Sequence, residues 1–170
     1  MDELGHYIRI HLTGAAGGIE LFSRGADLYD PAAREVVEGI RTELHDERRR
    51  LLAIAGNLGV RPAPLATAVA KIGEKVGRLK PNGHPLRRTR MTDLVDLEAM
   101  RIALAGKISG WEGLLTVVDE YAALPRDEIA DLLAQALRQL DQITNLHAEA
   151  AQRALQAGRG TADNTTHRNR

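Results

Sequence analysis

Apolar residues return at alternating intervals of three and four along most of this chain, the spacing of one face of an α-helix. Leu4, Ile8, Leu12, Ala15, Ile19, Phe22 and Ala26 form the first stripe and predict a helix from about Glu3 to Leu28. Its centre, Gly14-Ala15-Ala16-Gly17-Gly18, lowers helix propensity but lets a neighbouring backbone come close, so tight packing is expected there. Asp30-Pro31 joins a capping residue to a proline at the first helical position, and a second helix runs from there to about Leu58. So short a connection folds the two helices back as an antiparallel hairpin. Arg61-Pro62-Ala63-Pro64 breaks the pattern; Leu65, Val69, Ile72, Val76 and Leu79 describe a short amphipathic helix, ended by Pro81, Gly83 and Pro85. A third helix, from about Asp93 to Ala122, carries Leu94, Leu97, Leu104, Ile108, Trp111, Leu115 and Val118, interrupted at Arg101. A fourth, from about Asp127 to Ala157, places Leu133, Leu137, Leu140, Thr144, His147, Ala151 and Ala154 on its seam. Residues 1–157 read as a single domain, and 158–170 as a disordered polar tail.

One stretch departs from this pattern. In Glu43-Leu44-His45-Asp46-Glu47, the seam Val37, Ile40, Leu44, Leu51, Ile54 and Leu58 turns Glu47 itself toward the bundle. A carboxylate on a core-facing seam costs several kcal/mol unless it is paired or bound to a cation. The interior must therefore supply a metal ion or a cationic side chain.

Composition narrows the choice. With 3% aromatic residues and abundant Ala and Leu, the chain suits close-packed helices rather than sheets, and 44% apolar content fills one core. Twenty-three basic residues balance twenty-three acids, so overall charge gives no reason to bind nucleic acid specifically. The chain has no cysteine, which excludes thiolate metal sites, disulfides and a cysteine nucleophile; reactive chemistry must come from carboxylates and histidines. No apolar run approaches a membrane span, and Asp2, Glu3 and His6 come before any run of consecutive apolar residues, so a cytoplasmic location is expected.

Two long hairpins joined by about thirty residues carrying a short helix resemble the ferritin-like four-helix bundle, over residues 3–157. The layout also resembles a group of small actinobacterial proteins in the stretch from His11 to Glu20, Gly106-Lys107 and Trp111, a likeness that carries no known activity. The ferritin-like resemblance implies that the second and third helices run parallel. Counted at about 1.5 Å per residue from one shared end, Glu20 then lies about 12 Å deep, Glu43 about 16 Å, Arg101 about 12 Å and His147 about 15 Å. Asp46 and Glu98 fall within a turn of that level.

The family's dimetal sites use a Glu on two helices and Glu-x-x-His on the other two. Here the second helix reads Glu43-x-x-Asp46 and the fourth Thr144-x-x-His147, a degenerate motif that puts a redox di-iron centre in doubt. An iron or manganese site on Glu20, Glu43, Asp46, Glu98 and His147 remains chemically open. The metal-free answer is a charge-paired core network of Glu47, Arg101 and Lys107, because one guanidinium can satisfy two carboxylates. Lys107 is expected to pack its stem on Trp111 while its amine reaches solvent or an acid, and His11 to be a satisfied core histidine.

Between positions 71 and 90 the crossover collects seven basic residues, Lys71, Lys75, Arg78, Lys80, Arg87, Arg88 and Arg90, against one acid, Glu74. It lacks interleaved aromatics for base stacking, so a solvated basic face is expected, with an acidic protein surface, a nucleic-acid backbone or an anionic headgroup as the partners left open. Three functions follow: a non-enzymatic structural or interaction module without a cofactor, expected to dimerise; a metal-binding oxidoreductase or storage protein; and a docking module for an acidic partner.

Overall fold

The computed structural model describes residues 3–61 and 88–156. These form helix α1 (Glu3–Ser23), a 3-10 turn (Arg24–Asp27), α2 (Pro31–Asn57), α3 (Arg90–Val117) and α4 (Arg126–Gln156), with no strand among the described residues. The described residues form an all-α, four-helix arrangement. The short helix expected over Leu65 to Leu79 and the tail from Gly158 lie outside the described residues.

The helix ends follow local chemistry. Asp30 caps α2 by accepting the Ala32 N–H at 2.9 Å, with Pro31 at the first position. Gly59, at φ 67°, takes the left-handed conformation that closes α2, and the Val60 N–H bonds the Ala55 carbonyl at 2.8 Å. α3 starts three residues before its first expected position, because Thr89 and Thr92 form a reciprocal capping box, each hydroxyl accepting the other's backbone N–H. α1 stops at Ser23 rather than Leu28, and its last turn tightens to 3-10 where Gly25 presses against Val37.

Contacts fix the helix directions. The Tyr29 N–H donates to Asp93 at one end, and Lys107 meets Glu47 further along, so α2 and α3 run parallel. Arg153 pairs with Asp30 while Arg50 pairs with Glu128, so α4 is antiparallel to α2. Tyr7 reaches Ser109 and Arg24 reaches Asp96, so α1 is antiparallel to α3. The end of α2 and the start of α3 therefore lie at opposite ends of the bundle.

The interior is divided. One apolar block joins Leu4, Ile8 and Leu12 to Leu51, Ile54, Ile108, Trp111, Ile129 and Leu132. The other joins Phe22 to Val37, Ile40, Leu44, Leu97, Met100, Leu104 and Ile143. On α2, α3 and α4 the positions between the blocks are Glu47, Lys107 and Gln139.

Two seams differ from the periodicity reading. On α4 the buried positions are Ile129, Leu132, Ala136, Gln139, Ile143 and Ala150, about one residue round from the expected stripe, and Leu137 is half exposed. The rotation turns Gln139 inward, where its amide answers two carboxylates. On α3 the fully buried Met100 occupies the seam at the interruption, which leaves Arg101 on the flank toward α4.

Candidate functional site

Glu47 is the centre of the polar layer, at 3% exposure. Its Oε2 accepts from Lys107 Nζ at 2.6 Å, and its Oε1 accepts from Gln139 Nε2 at 2.7 Å and Gln135 Nε2 at 3.0 Å. The ammonium also donates to Gln139 Oε1. Gln139, with no solvent exposure, spends its amide on Glu47 and on Glu43 Oε2 at 2.6 Å. The other Glu43 oxygen accepts from Arg138 at 2.8 Å, where the layer opens to solvent. The chain thus passes from an exposed ion pair, through an amide, to a buried one.

Position on a helix explains each partner. Glu43 and Glu47 are four apart and so share one face of α2, and Gln135, Arg138 and Gln139 share the facing side of α4. Burial pushes the Lys107 ammonium below its ordinary lysine value, and the charges of Glu47 and Glu43 act against that shift. An amine with two acceptors here is placed to hold a proton between a carboxylate and an amide carbonyl. The arrangement neutralises charge inside the bundle and fixes how the helices face one another.

The expected metal ligands do not collect in one place. Glu98 Oε1 and His147 Nε2 lie 3.3 Å apart on α3 and α4, and the other ring nitrogen, Nδ1, is 3.4 Å from the Arg101 guanidinium. Glu43 belongs to the Gln139 group, Asp46 pairs with Arg49 within α2, and Glu20 is exposed on α1. Depths counted from the helix ends put His147 beside Glu43. The structure puts Gln139 there, about two turns further back along α4. Among the described residues no three His, Asp or Glu side chains are grouped to hold a metal ion.

The cation that meets Glu47 is Lys107; Arg101 contacts His147 instead, and its Nε is buried without a hydrogen-bond partner. Gln135, Arg138 and Gln139 were not among the residues singled out from the sequence. Their signal was the seam Ile129, Leu132, Ala136, Ile143, whose three-and-four spacing has Gln139 in its gap. A second polar cluster was likewise unforeseen. At the start of α3, the buried Asp93 accepts from Tyr29 N–H and Arg88 Nε, both at 2.9 Å, and the buried Asp96 accepts from Arg88 at 3.1 Å. Arg24 adds a looser contact to Asp96 at 3.6 Å. Of the basic crossover residues, Arg88 is engaged in this clamp and Arg90 is exposed at the first position of α3. Lys71, Lys75, Arg78, Lys80 and Arg87 lie outside the described residues.

No protein-family model, curated protein or solved structure matches this chain. Chemistry must therefore be read from its own geometry. No helix among the described residues is long and apolar enough to cross a membrane.

His11 lies between α1 and α3, edge-on to Tyr7 with ring centroids 4.5 Å apart and against Gly110, where a Cβ would fall 2.5 Å from its ring. Burial holds its pKa below the ordinary histidine value. The unfolded chain then takes up this proton at a higher pH than the folded one. Stability should accordingly be full above the ordinary histidine pKa, about 6.5, and fall as pH drops below it toward the lowered folded value. Thermal melts at pH 7 and pH 5 should show a smaller acid-induced drop for His11→Gln than for wild type, the comparison subtracting the other histidines.

Proposed function

We propose that this chain is a ferritin-like bundle acting as a non-enzymatic structural or interaction module, whose interior charges are answered by its own side chains. The observation that carries the reading is the Glu47 carboxylate, which meets Lys107, Gln139 and Gln135 in a layer between two apolar blocks. A carboxylate so saturated has little left to offer a metal, and an ammonium stands where a cation would bind. The parallel course of α2 and α3 supports the ferritin-like resemblance. The layer serves register: sliding one helix by a turn would set Glu47 against apolar side chains, so the arrangement selects one packing.

The test is metal content. Untagged protein from cells grown with added iron and manganese should contain well under one metal ion per chain by mass spectrometry, and a chelator should leave its melting temperature unchanged. Near-stoichiometric metal, lost in Glu43→Ala, would replace this reading with the storage or oxidoreductase one.

A further inference from the structure

We propose that the cleft between the start of α1 and the end of α3 binds a small organic cation, an ammonium group carried on an aromatic or alkyl body. Neither Glu47 nor any of its partners lines this cleft, so the site and the charge-paired layer stand or fall separately.

The cleft holds about 460 Å³, within the roughly 300–1,000 Å³ typical of small-molecule sites. Its course follows from the helix register. Tyr7 is level with Gly113, where an added Cβ would fall 2.6 Å from the tyrosine hydroxyl. Because α1 and α3 are antiparallel, Glu3, one turn before Tyr7, comes level with Val117, and Glu120 and Tyr121 follow just beyond. The cleft therefore runs from Ile10, past Tyr7 and Leu114, to two carboxylates at the end of the bundle. One end is apolar and the other acidic. Ile10 and Glu3 are separated by about 10 Å along α1, enough for a ring at one end and an ammonium at the other.

Aromatic side chains are scarce here, yet two of the three tyrosines line this cleft, while Phe22 and Trp111 are spent on the core. Tyr7 is held in place on three sides. Its hydroxyl donates to the Ser109 carbonyl at 3.3 Å, its ring stands edge-on to His11 with centroids 4.5 Å apart, and the bare backbone of Gly113 leaves it room. A ring fixed in this way loses little freedom when a ligand arrives, and the face of a tyrosine attracts a cation as well as an apolar body.

Charge decides which class of ligand fits. The described lining holds two carboxylates, one histidine and no lysine or arginine. Neither Glu3 nor Glu120 forms an ion pair or a side-chain hydrogen bond among the described residues, whereas the neighbouring Asp119 is paired with Arg126 at 2.6 Å. The field of the helices accounts for Glu3, which stands in the first turn of α1 where a carboxylate is favoured. It does not account for Glu120, which follows the C-terminal end of α3, where a negative charge is disfavoured. A cation bound between them would answer both.

The probe is 2-phenylethylammonium, titrated into isotope-labelled protein and followed by amide chemical shifts. Shifts should gather on residues 3–10 and 113–121, with a Kd of about 0.1–1 mM. 2-Phenylethanol, which replaces the ammonium by a hydroxyl, should bind about tenfold more weakly, and phenylacetate more weakly again. In Glu3→Gln/Glu120→Gln the amine should fall to the affinity of the alcohol, while the alcohol itself is unaffected. Both glutamates are exposed, so melting curves should show the double variant folded. Ile10→Ala should weaken amine and alcohol alike, which separates the apolar end from the acidic one. No shifts at these amides up to about 10 mM amine, an alcohol bound as tightly as the amine, or an amine affinity unchanged in the folded double variant would each overturn the proposal.

Discussion

Replacing Lys107 by methionine should lower the unfolding free energy by about 3 kcal/mol, read from urea denaturation, with a fall in melting temperature of roughly 10 °C. The cost lies with Glu47 rather than with the lost amine. At 3% exposure that carboxylate cannot recruit water, and the two glutamine amides that remain do not neutralise its charge. The reverse change, Glu47→Met, should cost less, because the Lys107 side chain retains 17% exposure and a long stem on which its amine can swing outward. The double variant Glu47→Met/Lys107→Met should recover to within about 1 kcal/mol of wild type, since a volume-matched apolar pair restores packing without a buried charge. A loss below about 0.5 kcal/mol in Lys107→Met would show that the layer carries no such burden.

The double variant also probes register. With Glu47 and Lys107 gone, the two apolar blocks merge and α2 and α3 lose the pair that distinguishes one alignment from a neighbouring one. Backbone amide exchange should then quicken across the middle of α2 and α3 even where global stability is regained. Stability and specificity would separate in one molecule.

The sequence made Glu47 legible because α2 is strongly periodic: a carboxylate at a seam position is conspicuous when its neighbours at three and four are Leu44 and Leu51. That reasoning named Arg101 and Lys107 as the interior cations; Lys107 meets Glu47, whereas Arg101 contacts His147. Arg101 drew attention by interrupting a stripe, yet Met100 fills that seam, and a shift of one residue turns a side chain through about 100°. The partners on α4 were hidden for a related reason. Ala and Leu are so frequent on α4 that two adjacent stripes satisfy the same spacing, and tertiary packing chose the one containing Gln139. Registers between helices were least readable. Depth counted from helix ends assumes flush ends, whereas α4 is slid by about two turns relative to α2, which removes His147 from the level of Glu43. The order and approximate bounds of the long helices depended only on local signals such as Asp30-Pro31 and the apolar periods, and those were readable; the parallel course of the second and third helices was instead implied by the ferritin-like resemblance.

Gly25→Ala should be the most damaging of the small substitutions, at about 3 kcal/mol by urea unfolding. An ideal Cβ at this position would lie 2.1 Å from Val37 Cγ1 and 2.8 Å from Val37 Cβ. Val37 cannot yield easily: it has no exposed surface, its branched side chain is confined near one rotamer in a helix, and the second contact is to Cβ, which moves only with the backbone of α2. Gly39→Ala on the exposed side of the same helix meets nothing within 4 Å and should instead stabilise by about 0.5–1 kcal/mol, which separates the clash from the propensity gain common to both changes. Val37→Ala would give the new methyl somewhere to go, so Gly25→Ala/Val37→Ala should cost less than the sum of its parts. The strain would also propagate. Gly25 follows Arg24, whose guanidinium faces Asp96, and the same turn leads to Tyr29, whose N–H is bonded to Asp93. Forcing α1 away from α2 at Gly25 should loosen the clamp on the first turn of α3, so amide exchange there should accelerate although the substitution lies on another helix.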